Sequence, residues 1–219
     1  MDLISAVQSR KSIRGFLPQS VPQETIREVL ELAIKSPSAL NTQPWEFTVV
    51  SGEILESIRR DNIECLLSGV PPHSPRSNYQ GVYRQRQVEL AVDIFQLMDI
   101  KREDREKRTA WLQRGFRFFD APAAIIISAD RSLEGTWWLY DIGVVSQTIC
   151  LAAMNYGLGT CIEDQGVMYP QVISKHTGIP DSKEIIIGIA IGYPDWDFPA
   201  NNLSSRREPL DKITSWLGF

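Results

Sequence analysis

Apolar side chains recur every three or four residues along much of the chain, and this period predicts amphipathic helices. The first such stretch opens the chain and ends near Gly15, a residue that argues for a break. The second begins near Pro22 and ends by Ser36, because Pro37 disfavours helical geometry in the residue before it. Further helices are predicted at 54–58, 87–99, 111–119, 136–156 and 170–177.

Three shorter runs have the composition of β-strands. Residues 46–50 alternate apolar and polar positions and are rich in β-branched and aromatic side chains. Residues 123–128 and 184–193 are almost entirely apolar, which is typical of strands covered on both faces. Gly188 and Gly192 inside the last run indicate close approach of another part of the chain. The two apolar runs therefore predict strands in the interior.

Residues 136–156 differ from the other helical stretches, because apolar side chains occur on every side of the helical wheel. A helix with this pattern is buried, so we expect this segment to be the central helix of the fold. Gly157-Leu158-Gly159 supplies its stop.

Two segments lack a regular period. Residues 68–86 are rich in Pro, Ser and Gly and predict a long irregular loop, and loops of this length tend to be functional or mobile. Residues 194–219 form a long polar connection with a short amphipathic end that has too little core of its own. We expect this tail to pack on another surface, and a second subunit is one option.

The composition is that of an ordinary globular protein. The chain has 219 residues, 43% hydrophobic and 23% charged, which suits a single domain over 1–219. A net charge of −4 gives no general electrostatic reason to expect nucleic acid or an anionic membrane as partner. The opening residues lack the order of a signal peptide, and no apolar run reaches the length of a membrane span. We therefore expect a cytoplasmic protein.

The reactive residue types argue against several kinds of active site. Cys65, Cys150 and Cys161 are odd in number and lack CxxC spacing, so we expect reduced thiols that serve as small buried side chains. His73 and His176 lie in unrelated contexts and support neither a zinc site nor a Ser-His-Asp triad. No glycine-rich dinucleotide motif follows a strand. If the protein is an enzyme, we expect a bound cofactor, and neither a metal nor a catalytic side chain, to carry the chemistry.

Three polar clusters stand out from this background. The first, Arg10-Lys11-Ser12-Ile13-Arg14, places three cations and a hydroxyl within five residues, and its guanidinium groups suit a phosphate. The alternative is a solvated basic helix end, in which Arg10 and Arg14 share one face if the helix continues through them. The other two clusters are Ser38–Gln43 and Ser205–Arg207. Only the fold can bring the three together.

Four blocks of the sequence together resemble the FMN-dependent nitroreductase family. They are RKSIRGF, SPSALNTQPWEF, YDIGVVSQTICLAAMNYGLGTC and GIAIGYPDWDFPANNLSSRREPLDKI, in the family's order and over nearly the whole chain. The middle section, from PPHSPRSNY to FRFFDAPAAI, is similar to the subgroup that acts on nitroaromatic acids. The resemblance implies an α+β fold with a central mixed β-sheet flanked by helices, and an intertwined homodimer with two FMN sites at its interface. We also expect the loop and helices of residues 68–120 to cover the active site.

The resemblance assigns the phosphate-binding residues by block. The first block supplies Arg10, Lys11, Ser12 and Arg14. Arg10 and Ser12 are expected to hold the phosphate and the ribityl chain, and Arg207 matches a phosphate-binding arginine near the C-terminus. Many relatives carry another basic residue shortly before that arginine, where this chain has Ser204, and Arg206 is the candidate substitute.

The flavin ring is expected to meet other residues. The second block supplies Ser38, Asn41 and Gln43, which approach the flavin from the partner subunit in the family. Arg117 falls where relatives often place a cation near the pyrimidine edge, and such a cation, like Lys11 or Arg14, stabilises the reduced flavin. Glu163 and Asp164 follow GLGTC, where family backbone groups face the O4/N5 edge.

The implied function is that of an oxygen-insensitive, NAD(P)H-dependent oxidoreductase. NADH or NADPH delivers a hydride to flavin N5 and leaves, and a flat electrophile such as a nitroaromatic, a quinone or an activated alkene then accepts it at the same face. Ping-pong kinetics are therefore expected. The alternatives are a specialised relative that cleaves flavin, dehalogenates or dehydrogenates, a non-catalytic FMN-binding protein, and an anion-binding module without flavin.

Overall fold

The structure is a computed structural model that describes residues 2–73 and 79–219. Residues 74–78, part of the predicted loop and of the middle section, lie outside the described residues. The helices are α1 Leu3–Ser9, α2 Gln23–Ala33, α3 Gly52–Leu67, α4 Gly81–Leu97, α5 Arg105–Phe116, α6 Trp137–Asn155 and α7 Pro170–Thr177. The strands are β1 Glu46–Ser51, β2 Ala123–Asp130, β3 Gly159–Glu163 and β4 Lys183–Gly192.

The strands form one sheet with the order β1-β2-β4-β3. All three ladders in the described chain are antiparallel, and parallel pairing is confined to a single bridge between Ser12 and Thr160 beside β3. The interior strands β2 and β4 coincide with the two long apolar runs. The predicted α+β fold with a central sheet flanked by helices is confirmed.

Helices cover both faces of the sheet, and β2 shows why its sequence is apolar throughout. Ala123, Ile125 and Ile127 face a core built with α2 and α6, whereas Ala124 and Ile126 face a core built with α3, α5 and α7. Each position on the strand therefore meets a hydrophobic layer, which removes the polar alternation of a half-exposed strand.

The central helix α6 is confirmed at the predicted position, but its burial in the single chain is confined to one side. Ile142, Val145 and Ile149 are buried against the sheet and α2. On other sides, Trp137 is 84% exposed and Tyr140 is 71% exposed. A helix that is apolar all round is expected to be covered all round, so one side of α6 lacks its cover in the single chain.

Two other segments differ from the expectation or extend it. The predicted loop over 68–86 is shorter, because α4 begins at Gly81. The tail keeps large apolar side chains in solvent, with Trp216 63% exposed and Phe219 102% exposed.

Among the described residues, no helix has both the length and the apolar character that crossing a membrane requires.

A charged cluster joins α3 to α7 on the side of the sheet away from α6. The Asp61 carboxylate accepts hydrogen bonds from Lys175 Nζ at 2.8 Å and shares a hydrogen bond of 2.7 Å with His176 Nε2. These contacts lower the pKa of Asp61 from 3.8 to about 2. Because the folded state favours the ionised carboxylate, the contacts stabilise the fold above about pH 4 and are lost as the pH falls towards 2.

We predict that Asp61→Asn lowers the free energy of unfolding by about 1 kcal/mol at pH 7, since an ion pair close to the surface is partly screened. Urea unfolding at pH 7 and pH 2.5 measures this, and the difference from the wild type is expected to shrink at the lower pH. The control is Asp211→Asn, which removes an exposed carboxylate that has no ion pair within the described chain. An equal loss of stability at both pH values would contradict the ionic origin.

Candidate functional site

The basic segment Arg10–Arg14 follows α1 and runs beside the edge strand β3. The helix ends at Ser9, so Arg10 and Arg14 do not share a helical face. Instead, Ile13 N donates to Thr160 O at 2.9 Å, next to the Ser12–Thr160 bridge. Strand-like pairing makes side chains alternate, and Ile13 is accordingly buried. Over the four residues from Arg10 to Arg14 such a segment spans about 13 Å.

Asn201 fixes the end of the basic segment. It is fully buried, and its Oδ1 accepts from Arg14 N at 2.7 Å and from Gly15 N at 3.2 Å. Its Nδ2 donates to Gly15 O at 2.7 Å, and its own carbonyl accepts from Lys11 Nζ at 3.2 Å. A Cβ at Gly15 would lie 2.1 Å from Phe198 Cγ, so only glycine fits beside this segment. Sequence reasoning missed Asn201, since a tail asparagine carries no sign that it pairs with backbone groups.

A groove of about 510 Å³ lies next to the basic segment. Its lining includes Arg14, part of β3 and the following turn, and side chains of α4 and α5. Among the side chains that line it are Arg14, Phe95, Trp111, Phe119, Ile162, Glu163 and Asp164. Arg10 and Lys11 line a separate cavity of about 210 Å³ that includes Met154 and Gly159. The basic segment therefore connects two cavities along β3.

Glu163 and Asp164, the residues that follow GLGTC, both line the groove. Both are buried, and Glu163 Oε2 accepts from Gly166 N at 2.9 Å. A Cβ at Gly166 would lie 2.6 Å from Glu163 Oε1, and one at Gly188 would lie 3.1 Å from it. The two glycines thus leave the room that this carboxylate occupies.

The Cys161 thiol also lines the groove, but its burial disfavours the reactive thiolate. Burial raises its pKa to about 12. Burial likewise raises the pKa of Cys150. Only the thiolate is reactive, so both side chains fill space in the core, as expected from the sequence.

The structure does not bring Arg117 to the groove. Its guanidinium forms two bonds with the Asp120 carboxylate, at 2.7 and 3.2 Å, and this pairing raises the pKa of Arg117. Arg14 is the cation that lines the groove instead, with its guanidinium carbon 5.9 Å from the centre of the Phe119 ring.

Arg114, which sequence reasoning missed, joins several segments around the groove. Its Nη2 donates to Arg14 O and to Phe119 O, each at 3.1 Å, and its Nη1 lies 2.8 Å from Asp120 Oδ2. The guanidinium carbon lies 4.7 Å from the centre of the Phe198 ring. One side chain therefore contacts the basic segment, the turn that carries Phe119, and Phe198, which precedes Asn201.

The turn that carries Phe119 has unusual backbone geometry. Phe118, Phe119 and Asp120 have φ values of 54°, 52° and 58°. Each such residue costs about 1–2 kcal/mol relative to a right-handed conformation. The buried Arg59 offsets this cost, because it donates to Arg117 O at 2.9 Å and to Ala121 O on either side of the turn.

The Ser38–Gln43 loop lies at the opposite end of α6 from the basic segment. Ala39 N contacts both carboxylate oxygens of Asp141, at 3.2 and 3.3 Å, and Leu40 at the loop tip is 99% exposed. Within the loop, Gln43 N donates to Ser38 Oγ at 2.9 Å and Gln43 Nε2 to Asn41 O at 3.1 Å. Asp141 and Met154, which lies beside Arg10, are separated by about 20 Å of helix. A single chain does not bring this loop to the basic segment.

Arg206 and Arg207 also have other partners in the single chain. Arg206 contacts Asp93 at 3.1 Å and Glu89 at 3.7 Å on α4. Arg207 Nη1 donates to Ser205 Oγ at 2.8 Å. Neither contact involves the basic segment.

Known proteins are similar to this chain in sequence. Residues 7–193 match the family model described as Nitroreductase family. The chain belongs to the nitroreductase family. It is 32% identical to a nitrobenzene nitroreductase of Ectopseudomonas oleovorans, over 96% of this chain and 95% of that protein. It is 31% identical to a 4-nitrobenzoate reductase of Pseudomonas putida, over 100% of this chain and 96% of that protein.

The fold of the chain is also that of a solved family member. The crystal structure of the FMN and NADPH-dependent nitroreductase NfnB from Sphigopyxis sp. strain HMH superposes with a TM-score of 0.95, at 26% identity and full coverage of both chains. These comparisons confirm the predicted family and nitroreductase-like fold, and they agree with the predicted oxidoreductase class and cofactors. The predicted site residues themselves stay predictions.

The donor set of this nitroreductase suits a flavin mononucleotide. The charged members, Arg10, Lys11 and Arg14, have no carboxylate within ion-pair distance in the described chain. Ser12 adds a hydroxyl between them, and Ile162, 41% exposed, offers an apolar surface in the groove. The cations and the hydroxyl suit the phosphate of FMN, and the apolar surface suits its flat ring. Among residues 2–73 and 79–219, no group of three His, Cys, Asp or Glu side chains is arranged to hold a metal ion.

We predict that Arg114→Met lowers the free energy of unfolding by about 2 kcal/mol, because it removes charge-assisted bonds to two carbonyls. The measurement is urea unfolding. Arg131→Met is the matched control: it removes an exposed guanidinium that donates to Asp181 O at 2.9 Å and should change stability little. Equal effects of the two substitutions would contradict a special role for Arg114.

Proposed function

We propose that this nitroreductase is an FMN-dependent oxidoreductase that uses NAD(P)H to reduce a flat electrophile, foremost a nitroaromatic compound. The observation that carries the proposal is the basic segment, whose three cations lack a carboxylate partner in the described chain and whose backbone is fixed by β3 and Asn201. Charges held in this way are arranged to meet an anion from outside the chain.

Each part of the site has a distinct role in this proposal. Arg10 and Ser12 bind the phosphate and ribityl chain, and Arg14 lies at the ring end, where a positive charge favours the reduced form. When bound, FMN supplies the hydride acceptance and donation, as cofactors of this kind do. Trp111 and Phe119, whose ring centres are 6.2 Å apart, form an apolar wall on which a flat substrate packs. The helix α4 also lines the groove, through Leu90, Ala91 and Ile94, and excludes water from it.

Nitroaromatic substrates are supported by the relatives, which are named for nitrobenzene and 4-nitrobenzoate. Quinones and activated alkenes have the same flat shape and belong to the proposed range. If one nicotinamide and one electrophile use the same face in turn, the kinetics are ping-pong. We place the reaction in the cytoplasm, in keeping with the reduced thiols that the sequence predicts.

We further propose that the working form is an intertwined homodimer with two equivalent flavin sites. If two copies pack antiparallel along the exposed side of α6, the Ser38–Gln43 loop of one copy approaches the basic segment of the other. The loop and the basic segment are about 20 Å apart along α6 within one chain, but the loop of one copy then lies beside the basic segment of the other. The twofold symmetry forms both sites together. The exposed apolar tail, with Arg206 and Arg207, then has a second subunit to pack on.

We predict that Arg10→Ala weakens FMN binding about 10- to 100-fold, because one charge-assisted bond to a phosphate contributes about 1.5–3 kcal/mol. Fluorescence titration of the apoprotein with FMN measures the Kd, and thermal unfolding of the apoprotein should be unchanged since Arg10 has no carboxylate partner among residues 2–73 and 79–219. Lys35→Ala removes an exposed cation just after the end of α2 and serves as control. Unchanged FMN affinity in Arg10→Ala would remove the phosphate role.

Simple observations separate the competing functions. A colourless protein that ignores added FMN indicates an anion-binding module. A yellow protein that neither NADH nor NADPH bleaches under anaerobic conditions indicates a non-catalytic flavin protein. Fast bleaching with slow reduction of nitroaromatics, quinones and alkenes indicates a specialised relative with another substrate.

We predict that Gly143→Glu produces a monomer that no longer retains FMN. Gly143 is exposed on α6, and an added Cβ would meet nothing within 4 Å, so the substitution fits the single chain and improves helix propensity. In the dimer it places a charge in the interface. Light scattering and flavin absorbance measure the two effects. Gln171→Glu on α7, across the sheet, is the control, and a flavin-replete dimer of Gly143→Glu would contradict the proposed interface.

A further inference from the structure

A second cavity, of about 470 Å³, adjoins the groove on the α5 side. Phe95, Trp111 and Gln165 line both cavities, so the two adjoin at these side chains. The second cavity adds Arg105 and Arg108 from the first turns of α5. It therefore forms a basic outer end of an otherwise aromatic groove.

The two arginines carry charge that the described chain does not neutralise. No carboxylate of residues 2–73 or 79–219 lies within ion-pair distance of Arg105 or Arg108. Two nearby acids pair with Lys107, which lies between the two arginines in sequence: it is 3.5 Å from Asp99 and 3.8 Å from Asp104. These two carboxylates thus do not form ion pairs with the guanidinium groups at the cavity.

Aromatic rings connect the two charged ends of the groove. The Phe119 ring lies between Arg14, at 5.9 Å, and Trp111, at 6.2 Å. At the other end, the Arg108 guanidinium carbon lies 5.9 Å from the centre of the Phe95 ring. A ligand with a flat ring against Trp111 and Phe119 can therefore extend an anionic group towards Arg105 and Arg108. On α5, these arginines lie about 9 and 5 Å along the helix axis from Trp111.

We infer that Arg105 and Arg108 form an anion subsite for the charged end of the ligands that enter the groove. The inference rests on the proposed function and names its ligand chemistry: a phosphate monoester or a carboxylate joined to a flat ring. The two sources are the 2′-phosphate of NADPH and the carboxylate of a nitroaromatic acid. Two guanidinium groups suit a dianionic phosphate better than a singly charged carboxylate, so the phosphate is the favoured source.

The test compares the holoenzyme with Arg105→Gln/Arg108→Gln. We expect the ratio of kcat/KM for NADPH to that for NADH to fall about tenfold, since two exposed cations act through partly screened charge. Arg105→Lys/Arg108→Lys keeps the charge and should keep most of the preference. Arg102→Gln is the matched control, because Arg102 belongs to the same charged run and accepts from Arg108 through its backbone oxygen only.

Two further measurements identify the source and do not depend on nicotinamide turnover alone. Calorimetric titration with 2′,5′-ADP and with 5′-AMP measures phosphate recognition directly, and the double Gln variant should lose the difference between them. The ratio of rates for 4-nitrobenzoate and nitrobenzene, with NADH as donor, measures carboxylate recognition. A smaller difference in affinity between the two nucleotides supports a subsite for the 2′-phosphate. A smaller ratio of rates for the two nitroaromatics supports a subsite for the carboxylate.

The outcomes also separate this inference from the proposed function. If the double Gln variant keeps the wild-type values in the nicotinamide ratio, the nucleotide titrations and the substrate ratio, the subsite is overturned, while bleaching of the flavin by NADH leaves the proposed function in place. If the wild type binds FMN but neither nicotinamide bleaches it, the proposed function fails, and the 2′,5′-ADP titration still decides whether the arginines bind phosphate.

Discussion

The rest of the site depends on how the chain fixes a segment whose three cations have no carboxylate partner among the described residues. Like charges in one short segment repel one another, so a flexible basic segment would spread its side chains apart. Here hydrogen bonds to the backbone fix the path of the segment. Ile13 is bonded to Thr160 on β3, and Asn201 bonds the next two residues on the opposite side. The charges are held in place before any anion arrives, which is the arrangement that makes an anion bind well.

The groove beside this segment is held by bonds of the same kind, from side chain to backbone. Arg114 bonds the carbonyls of Arg14 and Phe119, and Arg59 bonds the carbonyls on both sides of the left-handed turn. Such bonds fix where a neighbouring side chain lies while leaving that side chain free to contact a ligand. The burial of Arg114 lowers its pKa, yet a guanidinium remains charged at any physiological pH. The support is therefore insensitive to pH.

The sequence predicted those features that depend on one element at a time. The strands β2 and β4 follow from continuous apolar runs, and the basic segment follows from adjacent residue types. The strand β3 was missed because it has only five residues directly after a helix stop, and glycine at its start hides the β pattern. Asn201 and Arg114 were missed because they act on backbone groups far away in the chain, which no local pattern encodes. Arg117 lies outside the groove of the single chain because Asp120, three residues later, pairs with its guanidinium.

The residues that one chain does not bring together have a common physical origin in α6. Its length sets the distance between the Ser38–Gln43 loop, fixed at Asp141, and the cavity that Met154 shares with Arg10. No rearrangement within a compact chain shortens a straight helix, so the two parts of the sequence motif stay apart in one copy and meet only in the proposed homodimer. The same helix leaves Trp137 and Tyr140 in solvent, although its composition is that of a buried element. The proposed homodimer accounts for both the exposed side and the divided motif, because a second copy of the chain would cover α6.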